Sequence, residues 1–185
     1  VRVEQLRQEF ALEVEFWAYD LRPDLPPGGL PRDLVYRGAR YTPEYLRYLW
    51  QVAEESGIRL RLPPVVANPH KAHEATEFAK EQRAVDSFSR AVFAAYWEGG
   101  ENIGETDALC RLAQECGLDG QPLRQALESD RYAQRVEEQM EWARREGIGG
   151  VPTFIFDGRF ALEGAQSYDM FKSVTERILA RRGDE

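Results

Sequence analysis

Apolar residues recur along this chain with two different periods. "VRVEQLRQEF" sets Val3, Leu6 and Phe10 on one helical face. "LEVEFWAY" then alternates Leu12, Val14, Phe16 and Ala18 with Glu13, Glu15, Trp17 and Tyr19, the period of two that predicts a strand over 11–19. From Asp20 to Arg40 the chain is broken by Pro23, Pro26, Pro27, Pro31 and Gly28-Gly29, which predicts an irregular connection. Helical spacing dominates from there to Gly147. Thr42-Pro43 and Asn68-Pro69 each pair a capping side chain with proline at the expected first helical position. Val85, Phe88, Val92 and Phe93 mark another helix, Thr106 to Cys116 the next, Gln121-Pro122 opens a short one, and Ser129 opens a long one that Gly147 stops. Strand character returns at Thr153 to Phe156, turns at Asp157-Gly158 and resumes in "RFALEG" as a hairpin partner. A last helix starts near Ser167, turns Met170, Phe171, Val174 and Ile178 inward, and closes at Arg181, Arg182 and Gly183.

A strand, a long helical crossover, a hairpin and a closing helix predict an α/β fold. The expected division is residues 1–20 with 148–185 in one domain and a helical domain over 41–147. The first helix has no capping residue and the sequence does not open on Met, so we expect both the helix and the protein to begin upstream of Val1. One further strand ahead of that helix would complete the sheet.

A formal net charge of −8 argues against grip on a nucleic-acid backbone or an anionic membrane surface. No apolar run reaches the roughly 18 residues that span a bilayer. The chain is not a disulfide scaffold, with only two cysteines, which fits a reducing, cytoplasmic compartment; a signal peptide upstream of Val1 remains compatible with the sequence. Cys110 and Cys116 lie six residues apart on one predicted helix, about 9 Å by rise alone against the roughly 7 Å a disulfide spans. We expect buried free thiols.

His70, His73, Glu74 and Glu77 share a helical face opposite Ala72, Ala75, Phe78 and Ala79. Two imidazoles and two carboxylates are zinc-ligand types. With no second ligand-bearing segment, the reading is a solvated polar face and no metal site. No phosphate-binding glycine loop and no nucleophile elbow occurs.

Pro152 stands at the head of a predicted strand, where it donates no ladder hydrogen bond. A plain edge-strand proline is one account. The other is a cis bond, inexpensive before proline, that leaves the main chain of Val151 open to an extended peptide. "GIGGVPTFIFDGRFALEGAQSYDMF" resembles the C-terminal half of the DsbA family of thioredoxin-fold oxidoreductases, and "WAYDLRPDLPPGG", "NPHKAHEATEFAKEQ" and "NIGETDALCRLAQECGLD" resemble its FrnE-type branch. The resemblance spans nearly the whole chain. It implies a thioredoxin-like fold with a large helical insertion between the strand at 11–19 and a cis-proline strand at 152–156. It further implies thiol–disulfide exchange with protein or peptide substrates, no tightly held cofactor, and glutathione as a candidate redox partner. Val151, Pro152 and Thr153 would form the substrate platform, and the family's Ala-His pair puts His73 forward as a groove residue.

The family's Cys-x-x-Cys does not occur in this sequence, and we expect it just upstream of Val1. Its usual place, a helix N-terminus, lowers the thiol pKa and makes a thiolate nucleophile. Two other readings stand beside this one. The related 2-hydroxychromene-2-carboxylate isomerase and kappa-class glutathione transferase group shares the fold, although its Gly-Gln-Asp-Arg segment differs from Gly164-Ala165-Gln166 here. A redox-silent peptide-binding module would keep the platform without catalysis.

Overall fold

The computed structural model describes residues 2–36 and 42–183. Parts of the predicted irregular segment and the upstream expectation at Val1 lie outside those residues. The chain divides into two compact units, Val1–Leu21 with Glu141–Glu185, and Arg22–Met140. Among the described residues no helix is long and apolar enough to cross a membrane.

In the first unit, α1 (Arg2–Glu9) buries Leu6 against the closing helix α9 (Tyr168–Gly183). The segment 11–20 keeps the burial alternation of a strand: Leu12, Val14, Phe16 and Ala18 are turned in, Glu13, Glu15 and Trp17 out. It is not part of a ladder, however, and the predicted strand is corrected to that extent. Side-chain period reports which face is covered, whereas a strand is also defined by a neighbour in hydrogen-bonding register. No described segment stands there. The hairpin forms in the predicted place, with β3 (Thr153–Phe156) antiparallel to β4 (Phe160–Glu163) and Phe154 opposite Leu162. Its three-residue turn, Asp157 to Arg159, places Asp157 and Gly158 at φ of 54° and 63°, in the left-handed region.

On α9 the inward residues are Phe171, Val174, Thr175 and Ile178, while Met170 faces solvent, correcting its expected inward position. Phe171 packs edge-on to Phe154, ring centroids 4.7 Å apart, and also touches Phe156. The Glu9 carboxylate accepts from Tyr168 Oη at 2.5 Å and Lys172 Nζ at 2.6 Å, joining α1 to α9. The Lys172 and Tyr168 hydrogen bonds hold the Glu9 carboxyl below its ordinary 4.5. A lowered carboxyl contributes stability above the unfolded value and loses it as pH falls through the native one. The amides of α9 should therefore exchange faster with solvent as pH drops below about 4.5, after correction for intrinsic rates. Glu9→Gln should flatten that dependence, and an unchanged profile would show that the contact holds nothing.

The second unit is helical: α2 (Arg32–Val35), α3 (Pro43–Glu55), α4 (His70–Glu81), α5 (Val85–Ala94), α6 (Thr106–Glu115), α7 (Gly120–Glu128) and the first part of α8 (Ala133–Arg145). Thr42 caps α3 by accepting from Tyr45 N, and Asn68 Oδ1 accepts from His70 N ahead of α4. Pro69 sits just before α4 rather than inside it. Ser129 ends α7 instead of opening α8, since its Oγ donates to the Gln125 carbonyl. Phe93, expected on the inner face of α5, is 61% exposed, and Phe88 and Val92 carry the contact. The connection after residue 20 is not wholly irregular, because β1 (Leu30–Pro31) pairs with β2 (Val65–Val66). Gly29 lies at φ 73° under that pair, where a Cβ would run into the Val66 carbonyl. The core joins Ala75, Phe78 and Ala79 of α4 to Phe88 and Val92 of α5, Leu109 and Leu112 of α6 and Leu123 and Leu127 of α7.

The polar face of α4 is the largest departure from expectation. Glu74 is 0% exposed and Glu77 3%. The face is not solvated, because α7 and α8 bring partners to it. Lys71 Nζ lies 2.9 Å from Glu74 Oε1 and donates to the Leu127 carbonyl and Asp130 Oδ1, both at 2.6 Å. Glu77 accepts from Lys80 Nζ at 2.5 Å and Gln139 Nε2 at 2.9 Å. Glu81 accepts from the hydroxyl of Tyr132, whose pKa burial and that hydrogen bond push up to about 12. These charges pair with one another, as buried charges must.

Candidate functional site

The chain approaches β3 through Ile148, Gly149 and Gly150, which follow the end of α8. Gly147 ends that helix at φ 70°. A Cβ added at Gly149 or Gly150 would meet nothing within 4 Å, so the loop faces open space. Val151 follows, 48% exposed, and the Val151–Pro152 bond is cis. Pro152 accepts from Gly164 N through its carbonyl at 2.8 Å, which ties the head of β3 to the end of β4. Thr153 starts the ladder opposite Glu163 and anchors the loop by donating from Oγ1 to the Gly150 carbonyl at 2.7 Å.

Val151 thus stands between two fixed points while lying outside the ladder. Among the described residues no hydrogen bond takes up its N–H or C=O. A main-chain donor and acceptor held side by side at the head of a strand are what an extended polypeptide pairs with when it adds to a sheet.

A second pair of contacts positions this loop. Tyr19 Oη donates to the Ile148 carbonyl at 3.1 Å, and the rings of Trp17 and Trp142 meet edge to face with centroids 4.8 Å apart. Period-two alternation places Trp17 and Tyr19 on the outer face of their segment but does not show what they reach. Their partners lie more than 120 residues further along the chain, which is why the sequence reading missed them.

His73 lies half-buried on α4 in the helical unit, its backbone N–H donating to the Pro69 carbonyl. The residues of the strand head belong to the first unit. Cys110 is buried and Cys116 partly so, and both are free thiols. Burial pushes the Cys110 thiol up, with Arg124 opposing, which is the reverse of what a nucleophilic cysteine needs. A cavity of about 220 Å³ beside Cys110 is lined by Arg111, Gln114, Gln121 and Arg124. Its arginines are already engaged, Arg124 by Asp107 and Arg111 by Glu101 and Glu115. Among the described residues no group of three or more His, Cys, Asp and Glu is placed to hold a metal ion.

Comparison with known proteins bears on the family and the fold. In Bacillus subtilis (strain 168), the uncharacterized protein YwbO is 33% identical over 171 residues, covering 88% of this chain and 80% of that protein. The structure of the probable DsbA oxidoreductase SCO1869 from Streptomyces coelicolor superposes with a TM-score of 0.85, covering 97% of this chain and 82% of that one at 21% identity. A 2-hydroxychromene-2-carboxylate isomerase superposes at 0.73, covering 99% of this chain and 89% of that one at 22% identity. At those identities the structural matches speak for the fold. The family model of the DSBA-like thioredoxin domain matches residues 1–176. The hairpin, the helical unit and that match together place the chain in the DSBA-like thioredoxin domain family.

Proposed function

We propose that the complete protein is a thiol–disulfide oxidoreductase acting on protein or peptide substrates. The observation that carries this reading is the open main chain of Val151, fixed at the head of β3 by its neighbours' hydrogen bonds. The nucleophile would come from a Cys-x-x-Cys pair just upstream of Val1, at the start of the helix that α1 continues. Its thiolate attacks one sulfur of a substrate disulfide, the substrate S–S bond breaks, and a mixed disulfide forms while the other substrate sulfur leaves as thiolate. The second cysteine then attacks the mixed disulfide, releasing the reduced substrate and leaving the pair oxidised. The reverse sequence oxidises a dithiol substrate. Val151 contributes no electrons; pairing with the guest backbone would hold the substrate sulfur in line, and that positioning lowers the barrier. Glutathione is a candidate for resetting the pair.

The test is reduction of insulin disulfides by the full-length protein with a thiol reductant. Turnover that disappears when the upstream cysteines are replaced by serine supports the reading. The fold shared with the isomerase favours a second one, in which glutathione-dependent isomerisation proceeds without thiol exchange. Isomerisation that survives the serine replacements, with insulin left intact, would establish it. Peptide binding with neither activity would leave a binding module.

A further inference from the structure

Within the helical unit, two arginines lie on one tyrosine. The guanidinium carbon of Arg22 is 4.8 Å from the centre of the Tyr36 ring, and that of Arg32 is 5.1 Å from it. The two charges are therefore no more than about 10 Å apart, the sum of those distances, and both side chains are half-buried, where solvent screens repulsion less. A ring face attracts each cation without neutralising it. Arg111, Arg124 and Arg135 are each ion-paired, whereas among the described residues neither Arg22 nor Arg32 has a carboxylate partner. Arg32 is anchored twice, its backbone N–H donating to the Pro64 carbonyl at 2.8 Å and its Nε to the Pro63 carbonyl at 2.7 Å. That leaves the terminal amino groups of its fork without an acceptor among the described residues. Tyr96, in the π-helical turn Ala95–Gly99, lies within electrostatic reach of both arginines and of Tyr36. Burial pushes its pKa up although Arg32 and Arg22 oppose the shift, so this phenol brings the cluster no negative charge at pH 7.

We propose that Arg22 and Arg32 form a binding site for an oxyanion, the phosphate or carboxylate group of a small ligand. A guanidinium fork matches either group with paired, charge-assisted N–H bonds. The Nε tie to Pro63 fixes the Arg32 fork in advance, which limits the side-chain freedom lost on binding. A net charge of −8 makes the general field of the protein repel anions, so attraction here is local to the pair and not a property of the surface at large. All four side chains belong to the unit Arg22–Met140, and the site goes beyond thiol–disulfide exchange without resting on Val151.

The experiment titrates the full-length protein with sodium phosphate and, separately, with sodium acetate, ionic strength being held constant with sodium chloride. The side-chain Nε–H resonances of Arg22 and Arg32 are followed by NMR. Both should shift saturably with at least one of the two anions; saturation by phosphate alone marks a phosphorylated ligand, and by acetate alone a carboxylate. Arg22→Gln should weaken binding read at Arg32 about tenfold, the usual cost of one charged hydrogen-bonding partner, while Arg22→Lys, which keeps the charge, should cost less. Shifts that drift without saturating, or that sodium chloride reproduces, would mean general screening only and would overturn the site. So would saturation at Arg32 that Arg22→Gln leaves unchanged, since the pair would then not act together. The wild-type resonances test the proposal without any substitution, and unchanged backbone spectra away from the cluster show that each variant keeps its fold. Failure here leaves the reading of Val151 standing.

Discussion

Replacing Lys71 with methionine should destabilise the helical unit by about 3–5 kcal/mol, the usual cost of leaving one partner of a buried ion pair without the other. Glu74 is wholly buried, and Lys71, 2.9 Å away, carries the opposite charge. The three acceptors around the ammonium are unequal. Asp130 is largely exposed, so solvent screens its arm and it contributes little. The Leu127 carbonyl and Glu74 are the costly ones to abandon. Burial works against the Lys71 charge, but the hydrogen bonds to Asp130 and Glu74 outweigh it and raise its pKa above 10.5. A raised lysine contributes fully below its unfolded value and loses that contribution as pH rises through the native one. The wild type and the methionine variant should therefore differ fully at pH 7 and converge only above about pH 10.5. Urea unfolding gives the difference directly. The double variant Lys71→Met, Glu74→Leu should recover most of the loss, because an apolar pair of similar volume often replaces a buried ion pair without penalty. A single-variant cost below about 1 kcal/mol would show that Glu74 reaches water.

Phe171→Ala should be equally damaging to the other unit, about 3–5 kcal/mol, as for other large aromatic truncations in a core. Phe171 is 2% exposed and is the surface on which Phe154 and Phe156 of β3 rest. A two-stranded hairpin is marginal in water without such a base. Loss of the ring should therefore release β3 and β4 along with the Val151 loop that leads into them. Limited proteolysis should cut the variant near the loop under conditions that leave the wild type whole. Phe171→Leu, closer in volume, should cost much less. An alanine variant as resistant as the wild type would mean that α9 does not support the strand head.

Much of this arrangement was legible in the sequence where local chemistry decides it. Thr42 ahead of Pro43, Asp157 ahead of Gly158 and the apolar spacing of α6 each name a structure that forms within a few residues of themselves. The segment 11–20 was half legible: alternation foretold which side chains are covered but not whether a neighbouring strand takes up the main chain. The face of α4 was misread for the same reason on a larger scale. Whether Glu77 is solvated depends on Gln139 and Arg135, about sixty residues away on α8, and no periodicity within α4 reports them. At the candidate site, Pro152 drew attention because proline at a strand head conflicts with ladder formation. The supporting contacts of Tyr19 with Ile148 and Trp17 with Trp142 had no such local conflict to mark them.

Residue-resolved amide hydrogen exchange of the full-length protein, with and without a saturating cysteine-free extended peptide, tests the central claim most directly. Protection gained at the Val151 N–H, with the β3–β4 ladder unchanged, is the result expected if this main chain receives the substrate backbone. Bound peptide with no change at Val151, or with protection confined to the helices of the second unit, would contradict it.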